Sequence, residues 1–238
     1  MKSGNPVLNE KYFRDNSLSS TEAMTQKGTY QKTAILLLLC VAAASYTWGE
    51  SGASFIMPGF IGGLVFALIT IFKKPWAKYT APLYAVCEGL ALGAISFMYN
   101  AQYNGIVQNA VMLTFAVMAI MLFVYANNII KVTDKLRTGI FVATAAIGVI
   151  YLISFVMGFF GTSIPMIHSA GPMGIGFSLI VVGIASFNLL LDFDFIEKAS
   201  ESGRAPKYME WYGAFGLVIT LVWLYLEILR LLSKLQRR

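Results

Sequence analysis

Seven long apolar runs, separated by short polar segments, occupy most of the chain. They cover residues 33–48, 55–72, 81–99, 106–126, 140–160, 173–195 and 209–232. Each run has about 16 to 24 residues, close to the roughly 20 that a helix needs to cross the hydrocarbon core of a bilayer. Because backbone groups in lipid must bond within their own segment, isolated runs of this length can only be helices. The sequence therefore predicts an all-α membrane protein with seven transmembrane helices in a lipid bilayer.

The composition agrees with this prediction, since 57% of the residues are hydrophobic and only 13% are charged. Soluble domains have about 25% charged residues. We expect a polar N-terminal tail over residues 1–32, a transmembrane domain over residues 33–232 and a basic C-terminal tail over residues 233–238. No cleavable signal peptide is expected, because the first 30 residues contain no apolar segment with a cleavage site.

The distribution of Lys and Arg predicts the orientation of the chain. There are five in the N-terminal tail, three in each loop after the second, fourth and sixth runs, and none in the other three loops. This alternation places the N-terminus in the cytoplasm. The net charge of +6 comes from basic residues in these loops, where they set the orientation of the chain and contact lipid headgroups. Nucleic-acid binding is therefore not expected.

The C-terminal end breaks the alternation. Four basic residues follow an odd-numbered run, namely Arg230, Lys234, Arg237 and Arg238. Either all seven runs cross the membrane and a basic outer tail is tolerated, or one late segment is re-entrant. The three earlier hairpins favour seven crossings.

Several carboxylates lie in or beside apolar runs, where an ionisable residue is by default a candidate functional site. Asp192 and Asp194 end the sixth run, and Glu88 lies in the third. Residues two apart do not share a helix face, so at most one of Asp192 and Asp194 faces the interior. Both could instead be solvated at a helix end. Glu88 could be a third pore acid, or it could bond to a neighbouring helix.

Glu227 has apolar neighbours on both sides until Arg230. Two interpretations remain open for this acid. Without a nearby cation, burial would make it a proton-responsive group. Alternatively, Arg230 at position i+3 forms a local ion pair with it. The five residues that we consider for ion binding or proton sensing are Asp192, Glu227, Asp194, Glu88 and Arg230.

No constellation of residues supports enzymatic chemistry or a bound cofactor. His168 is the only histidine and has no Cys or second His nearby, and Cys40 and Cys87 lie inside apolar runs as small hydrophobes. The glycines at 171, 174 and 176 follow no strand, which excludes a nucleotide-binding loop. Other glycines, namely Gly59, Gly62 and Gly63 in the second run and the spacing Gly89-x-x-x-Gly93 in the third, predict close helix approach.

The short motifs of the chain resemble a known family. They are Leu191-Asp192-x-x-x-Ile196 followed by Glu197-Lys198-Ala199, Leu224-Tyr225-Leu226-Glu227, Glu88-Gly89-Leu90-Ala91-Leu92-Gly93, Asn5-Pro6-Val7-Leu8 and Gly28-Thr29-Tyr30-x-Lys32-Thr33. This set is similar to the transmembrane Bax-inhibitor motif family, in a bacterial branch. The resemblance covers nearly the whole apolar region and implies a location in the bacterial inner membrane.

The resemblance implies a seven-helix bundle with the last helix at its centre, and a pH-sensitive leak channel for Ca²⁺. In that family an acid on the sixth helix and one on the seventh share a proton and form the gate. By motif these are Asp192 and Glu227, with Glu in place of the usual Asp, and they would also be the ligands of a passing Ca²⁺.

The spacing of the two acids departs from the family pattern, because 35 residues separate Asp192 from Glu227. Glu227 lies about 27 Å along its helix. A direct carboxyl pair therefore requires a sixth helix that continues through Ser200, or a bend in the seventh at Gly213 or Gly216.

Two other functions remain open on the sequence. The protein could be a regulator that binds other membrane proteins, for example a membrane protease, through its N-terminal tail and basic loops. It could also be a proton-coupled transporter.

Overall fold

The computed structural model describes residues 23–161 and 169–237. These residues contain seven helices that are long and apolar enough to cross a membrane. The helices are α1 (Gln26–Tyr46), α2 (Ile56–Phe72), α3 (Ala77–Gln102), α4 (Ile106–Ala126), α5 (Asp134–Phe159), α6 (Pro172–Glu201) and α7 (Met209–Gln236), with short 3₁₀ helices at Glu50–Phe55 and Lys74–Trp76. The prediction of an all-α membrane protein with seven spans is confirmed.

Several helices are longer than the apolar runs that predict them. α1 begins seven residues before the run, because the Thr25 side chain accepts a hydrogen bond from the Gly28 N–H and caps the helix. Thr133 caps α5 in the same way through the Leu136 N–H. α6 continues past Ser200 to Glu201, and α7 ends at Gln236. Polar cap residues, rather than the first apolar residue, decide where these helices start.

The chain divides into two compact units. The α1–α3 unit contains α1, α2, α3 and residues 194–219, and the α4–α5 unit contains α4, α5 and residues 169–193 and 220–237. α6 and α7 are each divided between the two units, α6 after Phe193 and α7 before Thr220.

Glycines bring the helices of the α1–α3 unit together. A methyl group on Gly59 would lie 2.7 Å from the Cys87 carbonyl oxygen, so α2 and α3 touch backbone to backbone. Methyl groups on Gly89 and Gly93 would overlap the carbonyl oxygens of Cys40 and Ala44. These close contacts agree with the glycine spacing in the sequence.

The α4–α5 unit has a different pattern of burial. On α6 the buried side chains recur at helical spacing, at Ser178, Val181, Ala185, Asn188 and Asp192. The outer helix of this unit, α5, exposes most of its apolar side chains, with 11% of its span buried. Apolar surface of this kind is what a lipid-facing helix presents.

α7 is the most buried of the seven described helices. Two thirds of its span, 67%, is buried, whereas the values for the other spans lie between 11% and 50%. This burial agrees with the central last helix that the family resemblance implies.

Candidate functional site

The polar side chains of α7 that lie in the α4–α5 unit share one helix face. Thr220, Glu227 and Lys234 recur every seven residues, which places them on one stripe of the helix. All three are buried, with exposed fractions of 3%, 1% and 3%. At 1.5 Å per residue the stripe is about 21 Å long.

Asp192 meets this stripe at Thr220. The Thr220 hydroxyl donates a hydrogen bond of 2.6 Å to the Asp192 carboxylate, and Asp192 is fully buried. The acid therefore does not lie at a solvated helix end. α6 continues for more than two turns past it.

Glu227 is held by two partners. Its carboxylate accepts hydrogen bonds from Arg230 at 2.7 and 2.9 Å and from the Tyr151 hydroxyl at 2.8 Å. The Arg230 guanidinium lies 5.0 Å from the centre of the Tyr151 ring and also donates to its hydroxyl. Of the two interpretations that the sequence left open, the local ion pair is the one that the geometry contains. Tyr151 on α5 completes it.

Lys234 is bound by α6. Its ammonium group donates to the Gly174 carbonyl oxygen at 2.9 Å and to the Ser178 hydroxyl at 2.8 Å. Sequence reasoning treated Lys234 only as a basic residue near the C-terminus. Its seven-residue spacing from Glu227 was the signal that could have placed it on the same face.

These contacts fix the register between α6 and α7. Asp192 pairs with Thr220 and Ser178 with Lys234, so 14 residues on one helix match 14 on the other in the antiparallel direction. Glu227 is then level with Ala185, about 10.5 Å along the axis from the level of Asp192. The two acids therefore lie at different levels of the helix pair, even though α6 continues past Ser200.

A further bond ties α6 to α5, since the Asn188 amide donates to the Thr144 hydroxyl at 2.8 Å. We call the buried and half-buried polar side chains that these contacts connect along α5, α6 and α7 the polar track. It consists of Asp192, Thr220, Asn188, Thr144, Glu227, Arg230, Tyr151, Ser178 and Lys234.

The other two candidate acids lie in the α1–α3 unit. Asp194 forms an ion pair of 2.8 Å with Lys198, one turn further along α6. Glu88 on α3 faces α2, where a methyl group on Gly63 would lie 2.9 Å from its carboxylate oxygen. Neither acid belongs to the polar track.

Sequence reasoning gave no role to Glu210, although it is fully buried at the start of α7. Its carboxylate accepts hydrogen bonds from the Thr25 N–H and hydroxyl at 2.9 and 2.8 Å, and it pairs with Lys32. A methyl group on Gly28 would overlap this carboxylate. Glu210 thus binds the N-terminal turn of α1, which explains why Gly28 and Lys32 occur together in the sequence.

The side chains in residues 23–161 and 169–237 include no group of three or more His, Cys, Asp or Glu that could hold a metal ion. Asp192 hydrogen bonds to Thr220, and Glu227 to Arg230 and Tyr151. His168 lies outside the described residues.

The sequence matches the family described as Bax inhibitor 1 like over residues 5–237. No protein of curated function and no solved structure is significantly similar to the chain.

Proposed function

Because this chain belongs to the Bax inhibitor 1 like family, we propose that it is a pH-sensitive leak channel for cations, with Ca²⁺ as the transported ion. It is an integral membrane protein with seven spanning helices. The observation that carries the proposal is the polar track, a line of buried and half-buried hydroxyl, amide and charged groups inside apolar helices. Polar groups of this kind mark ion and proton pathways in membrane proteins.

Asp192 is the acid that we assign to cation binding and proton sensing. A buried carboxylate next to a hydroxyl offers the oxygen ligands that a hard cation such as Ca²⁺ prefers. Protonation of Asp192 would remove its negative charge and turn its carboxyl group into a hydrogen-bond donor toward Thr220. The occupancy of the track by a cation would then depend on pH.

Glu227 has a different role in this proposal. Its ion pair with Arg230 and its bond to Tyr151 make it part of a neutral cluster. The cluster joins α5 to α7 through Tyr151, and it holds the charges of Glu227 and Arg230 against each other. We therefore expect changes at Glu227 to affect the stability of the channel more than its response to pH.

Ca²⁺ uptake into proteoliposomes at several pH values tests these roles. We expect Asp192→Asn to abolish the pH dependence and lower uptake about tenfold, the effect of one lost strong interaction. Asp194→Asn is the matched control, because Asp194 is two residues away and is paired outside the track. Unchanged uptake and pH response in the double variant D192N/E227Q would refute the channel proposal.

The alternative functions predict other results. A proton-coupled transporter would show saturable uptake of a substrate together with protons. A regulator of other membrane proteins would lose its effect in cells when residues 1–28 are deleted, whereas D192N would leave that effect unchanged.

We also propose that the N-terminus is cytoplasmic, in a bacterial inner membrane. Arg230 and Lys234 lie inside α7, where Arg230 bonds to Tyr151 on α5 and Lys234 to α6. The basic residues after the helix are therefore Arg237 and Arg238. The basic C-terminal end, which conflicted with seven crossings, is thereby reduced to two residues. A reporter enzyme that works only outside the cytoplasm should therefore be active when it is fused after residue 238.

A further inference from the structure

The ammonium group of Lys234 has an unusual set of partners for a buried charge. Both acceptors are neutral oxygens, the Gly174 carbonyl and the Ser178 hydroxyl, and the side chain is 3% exposed. A charge inside a membrane helix is costly and is usually compensated by an opposite charge. The acid on the same stripe, Glu227, attracts the ammonium group, but it is paired with Arg230, whose positive charge repels that group.

Lys234 takes these partners although its position near the end of α7 gives it access to the lipid headgroups. Lys234 lies two residues before the end of α7, where a lysine can extend its side chain to the lipid headgroups at little cost. Its ammonium group instead points to α6. The site therefore attracts a cation strongly enough to hold it away from water.

The oxygens of the site are built into α6. Gly174 and Ser178 are four residues apart, so that both face α7. The turn before the helix packs closely on Gly174, where a methyl group would overlap the Ser169 carbonyl oxygen. This close packing fixes the Gly174 backbone, and Ser178 is itself buried.

We propose that Lys234 is a tethered cation that occupies an inorganic cation site at one end of the polar track and closes it. An ammonium group and a potassium ion are similar in size, and carbonyl and hydroxyl oxygens replace the water shell of either. Asp192 attracts a cation at one end of the track, and Lys234 repels it at the other. The inference rests on the proposed cation leak and names the residue that limits it.

The first test measures Ca²⁺ and K⁺ uptake into proteoliposomes that contain Lys234→Met, which removes the charge and keeps much of the side chain. Uptake should rise about tenfold over that of the unchanged protein. Lys234→Arg keeps a cation in the site and should remain at the original level. Should Lys234→Met fail to fold, Ser178→Ala removes one partner of the ammonium group and should raise uptake about threefold.

The second test detects the site without transport. In detergent, KCl should raise the Tm of Lys234→Met by about 3 °C relative to choline chloride at the same ionic strength. The unchanged protein, with the site filled by Lys234, and the double variant K234M/S178A should show no such rise.

The two tests separate the inference from the proposed function. If KCl stabilises Lys234→Met but neither protein passes cations, the tethered cation stands and the leak function is wrong. If KCl gives no stabilisation, the inference is wrong, whatever the uptake. Uptake in the unchanged protein that Asp192→Asn lowers would then still support the leak.

Discussion

The two units differ in the contacts that bring their outer helices together. In the α1–α3 unit, α2 and α1 touch α3 through glycines, so the contacts are between backbones. In the α4–α5 unit, α5, α6 and α7 are joined by side-chain hydrogen bonds, and Tyr151 on α5 bonds to an ion pair within α7. The difference predicts that added volume at Gly59, Gly89 and Gly93 destabilises the first unit, whereas the contacts of the second depend on polar side chains.

The buried charges show the same contrast. Glu210, in the α1–α3 unit, is surrounded by the Thr25 N–H, its hydroxyl and the Lys32 ammonium group. Lys234, in the α4–α5 unit, hydrogen bonds to two neutral oxygens, and the charges of Glu227 and Arg230 act on it with opposite sign. A charge that is fully compensated stabilises one arrangement, whereas a charge with neutral partners can be exchanged for another cation.

The largest effect that we expect comes from removing Arg230 from the α4–α5 unit. Arg230→Met leaves the buried carboxylate of Glu227 without its cation, which costs about 4 kcal/mol in the free energy of unfolding. The measurement is SDS unfolding in mixed micelles. The double variant R230M/E227Q should recover at least half of the loss, and no recovery would mean that the ion pair is not the cause.

The next effect tests the backbone contacts of the α1–α3 unit. Gly93→Ala places a methyl group against the Ala44 carbonyl oxygen, and overpacking of this kind should cost about 3 kcal/mol in the same unfolding assay. Gly148→Ala on α5 is the matched control, because nothing lies within 4 Å of the added methyl group. Equal losses at the two positions would contradict the contrast between the units.

The smallest effect concerns the hydroxyl that binds Asp192. Thr220→Val keeps the shape of the side chain and removes a donor to a buried carboxylate, at a cost of about 1.5 kcal/mol in stability. Thr114→Val is the control, since the Thr114 hydroxyl bonds only to the Ala110 carbonyl one turn before it in α4. A loss at Thr114 as large as that at Thr220 would show that Asp192 gains nothing from the bond.

Much of the fold could be predicted from the sequence, because a membrane helix is a local structure. Apolar length places each span, and glycine spacing indicates where helices touch. The pair of Glu227 and Arg230 could also be anticipated, since residues three apart in a helix are neighbours. These predictions need no knowledge of how one helix lies against another.

The remaining site residues require that knowledge. Tyr151 is 76 residues from Glu227, and Lys234 is 56 residues from Ser178. Only the register of α6 against α7 and the position of α5 bring them together. The same register gives Asp192 and Glu227 different partners, which motif spacing alone could not decide.

The bond between Glu210 and the start of α1 has a consequence for how the protein is made. Lys32 and Glu210 are 178 residues apart, so the ribosome has synthesised most of the chain before the lysine can meet its partner. Until then the Lys32 ammonium group has to stay among water and headgroups, because an unpaired lysine costs about 3 kcal/mol at the centre of a bilayer. The N-terminal end of α1 is thus fixed only after α7 has begun to be synthesised. A chain that stops before Glu210 leaves that end undocked.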